Sequence, residues 1–90
     1  MTKDVNILRV AGKSNVPSVA GSIVKSIEDN KEVELHAIGA GAVNQTVKAI
    51  GTARGILASK GLDLYARIGF DSAEICGEKK TMIIFRLLIL

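Results

Sequence analysis

From Glu32 to Ile38 the chain alternates, with Glu32, Glu34 and His36 on one side and Val33, Leu35 and Ala37 on the other. A period of two places these sets on opposite faces of a strand, one packed and one half-exposed. Val5 to Val10 is apolar on both faces, through Val5 and Ile7 and through Leu8 and Val10, and reads as a buried strand. Between these runs the period becomes helical. Val19, Ala20, Ile23, Val24 and Ile27 recur on one face, and Ser18, Ser22, Lys25, Ser26 and Asp29 on the other. Gly12, Ser14 and Asn15 supply the turn ahead of this helix, Pro17 suits its first turn, and Asp29-Asn30-Lys31 ends it.

A second helix is predicted from about Ala42 to Lys60, with Val43, Val47, Ile50 and Leu57 as its apolar stripe and Gly61 as its stop. Leu62, Leu64, Ala66 and Ile68 then alternate with Asp63, Tyr65 and Arg67, which predicts a third strand. Asp71 to Lys80 is polar and contains Gly77, as expected of a long hairpin connection. Thr81 to Ile89 reads as a fourth strand, apolar on both faces. The order is therefore β-α-β-α-β-β, an α/β (α+β two-layer) arrangement. Right-handed crossovers put both helices on one face of a four-stranded mixed sheet. Two helices cover one sheet face, so the apolar second face of the last strand calls for another cover, most simply a second copy of the chain.

Ninety residues make one domain, 1–90, and a hydrophobic content of 48% is enough for a packed core. No internal repeat, linker or low-complexity segment interrupts it. The net charge of +3 permits an acidic partner without demanding one. The single cysteine, Cys76, rules out an internal disulfide, and the polar start Met1-Thr2-Lys3-Asp4 is no apolar leader. Both features fit a reducing, cytoplasmic setting. The run Met82 to Leu90, broken by Arg86, is far shorter than the roughly 20 apolar residues a spanning helix needs.

Candidate chemistry concentrates where strands run into helices. Ile38-Gly39-Ala40-Gly41-Ala42-Val43-Asn44-Gln45-Thr46-Val47-Lys48 joins a strand to a helix through two glycines and sets Asn44 and Lys48 one turn apart. The start of a helix offers unpaired N–H groups and partial positive charge, so with Asn44, Gln45 and Lys48 it suits an anion such as a phosphate. Gly12-Lys13-Ser14 looks like the tail of a P-loop, but Ile7 stands where that motif needs its first glycine. A non-catalytic basic loop, with Lys13 and the Ser14 hydroxyl on a backbone phosphate, fits better. Gly39 to Asn44 echoes a dinucleotide fingerprint with Asn44 in place of the third glycine, in a chain too short for a doubly wound sheet. Gly51, Gly55 and Ala58 form a smooth strip on the second helix, suited to close approach of another helix or a ligand backbone, with Arg54 reaching its edge as a further candidate for contact with nucleic acid. Arg67 and the pair Lys79-Lys80 bracket the hairpin, which can lie along a nucleic-acid groove. His36 is read as a surface residue with no metal-ligand company, and Cys76 has no histidine in context to activate it. No catalytic set, metal site or cofactor is called for.

These residues carry a resemblance. Gly12-Lys13-Ser14-Asn15 running into Ser18-Val19-Ala20-Gly21, the block Ala37 to Ile50, and Ala53-Arg54-Gly55 followed by Gly61-Leu62-Asp63-Leu64 resemble the stage V sporulation protein S family. The resemblance runs from about Ile7 to Ile84. It implies an Alba-like fold of the same element order, a homodimer or higher homo-oligomer, and a role in sporulation or developmental regulation. It also implies binding of DNA or RNA through the first loop (Lys13, Ser14), the start of the second helix (Asn44, Gln45, Lys48) and the hairpin region (Arg67, Lys79, Lys80). Lys13 is a single lysine where Alba proteins carry a pair. The rival expectation is a protein-interaction module in a developmental or cell-division assembly, and a third is a nucleotide sensor built on the Gly39–Asn44 turn. Tyr65, Phe70 and Phe85 are the only aromatics, too few for extensive base stacking.

Overall fold

The computed structural model describes residues 4–90, so Met1-Thr2-Lys3 lies outside the described residues. Its elements run β1 (Val5–Val10), α1 (Val16–Glu28), β2 (Glu32–Ile38), α2 (Ala40–Ala58), β3 (Leu64–Ile75) and β4 (Glu78–Ile89). The sheet order is β1-β2-β4-β3. β1 and β2 pair in parallel, while β4 runs antiparallel to both β2 and β3. The expected β-α-β-α-β-β order and mixed sheet are what the chain forms.

Each boundary has a local cause. The Asn15 Oδ1 accepts from the Ser18 N–H at 2.9 Å and so caps α1, with Pro17 in the first turn. α2 begins two residues earlier than its apolar pattern predicts, because Gly39 at φ +90° makes the turn by itself and frees Ala40 to be helical. Gly61, at φ +76°, ends that helix as expected, with the Leu62 N–H closing onto the Leu57 carbonyl at 3.1 Å.

The core lies between the helices and one sheet face. Val10, Val33, Leu35, Ala37, Leu64, Phe85 and Leu87 point from the sheet into Ala20, Ile23 and Val24 of α1 and Ala42, Ala49, Ala53 and Leu57 of α2. The buried stripe of α2 is therefore Ala42, Thr46, Ala49, Ala53 and Leu57. Val43 and Ile50 pack at its margin and Val47 is exposed, contrary to the predicted stripe. Small residues let α2 approach α1 and the sheet closely, which bulkier side chains would prevent. Ser26, expected on the solvent face of α1, is buried, accepting from the Asn6 amide at 2.7 Å and donating to the Ser22 carbonyl at 2.8 Å. β1 is an edge strand, so Val5 and Ile7, read as buried, are exposed on the face away from the helices.

The largest departure is the hairpin. Asp71 to Lys80 is not a loop: β3 and β4 remain paired out to Ile75 and Glu78, and only Cys76 and Gly77 turn the chain. Both turn residues have positive φ, +51° and +78°, the signature of a two-residue type I′ turn. The result is a two-stranded arm that continues past the end of β2, since Ile38 pairs with Met82 and β2 stops there.

Candidate nucleic-acid interface

Because β1 and β2 are parallel, the loop leaving Val10 and the turn leaving Ile38 emerge at the same end of the sheet. The first loop closes on itself, with the Ser14 N–H on the Ala11 carbonyl at 3.0 Å and the Ala11 N–H on the Ser14 Oγ at 2.9 Å. It also leans on the start of α2. A β-carbon placed on Gly41 would stand 3.5 Å from the Gly12 Cα, so the two backbones are already in near contact. The Gln45 Nε2 donates to the Ser14 carbonyl at 2.9 Å and ties the loop to the helix. Gln45, expected to meet an anion, thus spends its amide N–H on the loop, a positioning role that needed the fold to be seen.

This packing leaves Lys13 exposed, with no hydrogen bond or ion pair to a described residue. Asn44 and Lys48 are exposed on the outward face of α2, one turn apart. The first turn of α2 contains no acidic residue, and Gly39 offers no side chain to its N–H groups. Gly12 packs over Gly41 and the Ala42 nitrogen, so what the helix start offers an outside acceptor is chiefly the positive end of its dipole. The β3–β4 arm leaves from the same sheet end and carries Lys79 and Lys80, both exposed, opposite Glu74 and Ala73. The fold thus ties the loop of Lys13 and Ser14 to Gln45, with Asn44 and Lys48 on the outward face of the same helix, and sets Lys79 and Lys80 on opposite faces of an arm that leaves the same sheet end.

Two of the expected residues lie elsewhere. Arg54 is ten residues beyond Asn44, about 15 Å along the helix, and its Nε contacts the Asp63 carboxylate at 3.2 Å. Asp63 also accepts from the Tyr65 hydroxyl at 3.1 Å and from the Leu64 N–H, and these bonds, Tyr65 first, hold its carboxyl below the usual range. The same bond raises the Tyr65 hydroxyl. Arg67, on the edge strand β3, sits opposite Arg86 on the face away from the helices. Arg86 lies six steps along β4 from Lys80, about 20 Å.

That open face has its own chemistry. Arg86 donates to Glu34 at 2.6 Å and pairs with Glu32, while Glu34 shares its other oxygen with His36 Nε2 at 2.8 Å. The His36 hydrogen bond, and then Arg86, hold the Glu34 carboxyl below its ordinary value of 4.5. The Glu34 bond in turn raises Arg86. His36, read as a surface residue, is half-buried in this network. Among the described residues no three His, Cys, Asp or Glu side chains gather as a metal-holding group, and no helix is long and apolar enough to cross a membrane.

Comparison with solved structures finds Alba from Thermoplasma volcanium, similar with a TM-score of 0.64 over 93% of this chain and 98% of that one, at 13% identity. At that identity the likeness is one of fold. A family profile, Stage V sporulation protein S, matches residues 6–89. With a match over nearly the whole length, the chain belongs to the stage V sporulation protein S family.

Proposed function

We propose that the protein is a non-enzymatic, nucleic-acid-binding regulator that acts as a homodimer in sporulation or developmental control. The observation that carries this reading is the junction of the Gly12–Ser14 loop with the uncapped start of α2, locked by the Gln45–Ser14 bond, beside a projecting arm. Lys13, Asn44 and Lys48 face outward there, and Lys79 and Lys80 extend the cationic surface. Ser14 serves chiefly through its backbone and Gln45 as the tether. Arg54 and Arg67 stand outside the surface. Binding is electrostatic and tolerant of sequence, since such groups meet phosphates.

Self-association is supported by apolar area that α2 and β3 leave uncovered on the helix side of the sheet, rather than by the second face of the last strand from which the sequence led to a second copy. Val47 is 54% exposed, Ile68 57% and Phe70 77%. Exposed large apolar groups in one region mark an interface more often than free surface. Pairing two copies doubles the net charge and the number of phosphate-facing groups.

Fluorescence anisotropy with mixed-sequence duplex DNA and single-stranded RNA, at several salt concentrations, tests the reading. With about five phosphates engaged, log K should fall against log salt with a slope of about −4 to −5 on duplex. Absence of binding to both polymers at low salt would overturn it. The same exposed Val47, Ile68 and Phe70 favour the second reading, a protein-interaction module, in which that region takes a different protein and the lysines stay solvated.

A further inference from the structure

On the open sheet face, a cleft of ≈ 610 Å³ lies between the first loop and the β3–β4 arm, lined by Arg9, Val10, Ala11, Gly12, His36, Ile38, Ala73, Ile75 and Met82. The walls come from four separate segments: β1 and the loop after it, the end of β2, the tip of β3 and the start of β4. Arg9 and His36 are register partners on adjacent strands, as are Ile38 and Met82. Cationic and imidazole groups therefore hold the sheet end of the cleft, and Ile38, Met82, Ala73 and Ile75 supply an apolar floor and outer wall. A volume in this range, mostly apolar with a few converging polar groups, is typical of sites for small organic ligands.

The polar end is short of a partner. Arg9 makes no hydrogen bond or ion pair with a described residue, and His36 uses Nε2 on Glu34, which leaves Nδ1 without one. Arg86, by contrast, is fully engaged with Glu32 and Glu34. A guanidinium binds a carboxylate through two parallel N–H donors, and because the Nε2–H of His36 is held by Glu34, its Nδ1 adds a third donor only when the ring carries both protons. The adjacent Glu34 carboxylate repels a second negative charge, so a monoanion fits better than a dianionic phosphate.

We propose that this cleft binds a small amphipathic monocarboxylate, its head on Arg9 and His36 and its apolar body against Ile38, Met82, Ala73 and Ile75. Gly12 in one wall adjoins Lys13, and the arm that forms the other carries Lys79 and Lys80. Occupancy therefore fixes the gap between the two carriers of the nucleic-acid surface and changes polyanion affinity, with the reciprocal effect required by linkage. This second step rests on the proposed function; the site itself does not.

Isothermal titration, without nucleic acid, of straight-chain carboxylates from butanoate to dodecanoate against alcohols of equal length tests the site. Carboxylate affinity should rise about fourfold per methylene until the cleft is filled, then level off. Each alcohol should bind at least tenfold more weakly than its carboxylate. Arg9→Gln, at an exposed position, should weaken the carboxylate at least tenfold while the melting curve stays unchanged, and Ile75→Asp should remove the dependence on chain length. Equal affinity for acid and alcohol, no binding at millimolar concentration, or an unaltered affinity in Arg9→Gln would overturn the proposal. A bound carboxylate that leaves DNA and RNA affinity unchanged would overturn the coupling alone.

Discussion

Replacing Gln45 by Ala separates a residue that positions the interface from one that touches nucleic acid. Gln45 makes one side-chain bond, from Nε2 to the Ser14 carbonyl at 2.9 Å, and that bond joins a loop to a helix 31 residues away in sequence. A neutral hydrogen bond contributes about 0.5–1.5 kcal/mol net. Ser14 is only half-buried, so water can replace the lost donor, and the lower part of that range applies, about 0.5–1 kcal/mol. For a domain of this size the loss corresponds to a fall in Tm of about 2–8 °C. The loop should also lose protection, seen as faster amide exchange at Ser14, whose N–H bonds to Ala11. Nucleic-acid affinity should drop because Lys13 is held less firmly, but the salt dependence should not change, since no charge has been removed. An unchanged Tm and exchange rate together with a large loss of binding would refute the positioning role and make Gln45 a direct contact.

Other expectations follow from the same geometry. Arg86→Met leaves Glu32 and Glu34 facing each other without their cation and should cost about 1–3 kcal/mol in chemical denaturation at neutral pH. Because the native Glu34 carboxyl lies below its unfolded value of 4.5, its contribution is complete above that pH and is lost as pH falls through the native value. Part of the acid sensitivity should therefore be absent from the Arg86→Met variant. Cys76→Asn, at φ +51° in the hairpin turn, should raise stability by a few tenths of a kcal/mol, read from thermal melts, because Asn-Gly suits a type I′ turn. Phe70→Ser should shift the assembly toward monomer in light scattering without lowering the monomer's melting point, since Phe70 is largely outside the core.

The sequence displayed the bounds of β1 and β2 to the residue, β2 because its alternation is set by one packed layer, and β1 because its run is apolar on both faces, although Val5 and Ile7 face away from that layer. It hid the arm because Asp71 to Lys80 projects beyond that layer. With no core to face, neither side of the ribbon needs to be apolar, and a polar run reads as loop. The buried stripe of α2 departs from its apolar pattern for a related reason. Hydrophobicity favours Val43 and Val47, whereas the close approach to α1 and the sheet is made by Ala42, Ala49 and Ala53. Ser26 is buried because Asn6 and the Ser22 carbonyl satisfy it, a pairing with no local signal. The candidate interface was half legible. Glycines at strand–helix turns pointed to Lys13, Asn44 and Lys48, but only the fold revealed that Arg54 is occupied by Asp63 and that Gln45 holds the loop.

The most direct test is the salt dependence of binding to mixed-sequence duplex DNA for Lys13→Ala, Lys48→Ala and Arg54→Ala. Each lysine variant should flatten the slope of log K against log salt by about one unit per engaged protomer, and Arg54→Ala should leave it unchanged. Wild-type slopes in both lysine variants, or a loss in Arg54→Ala as large as theirs, would contradict the proposed interface.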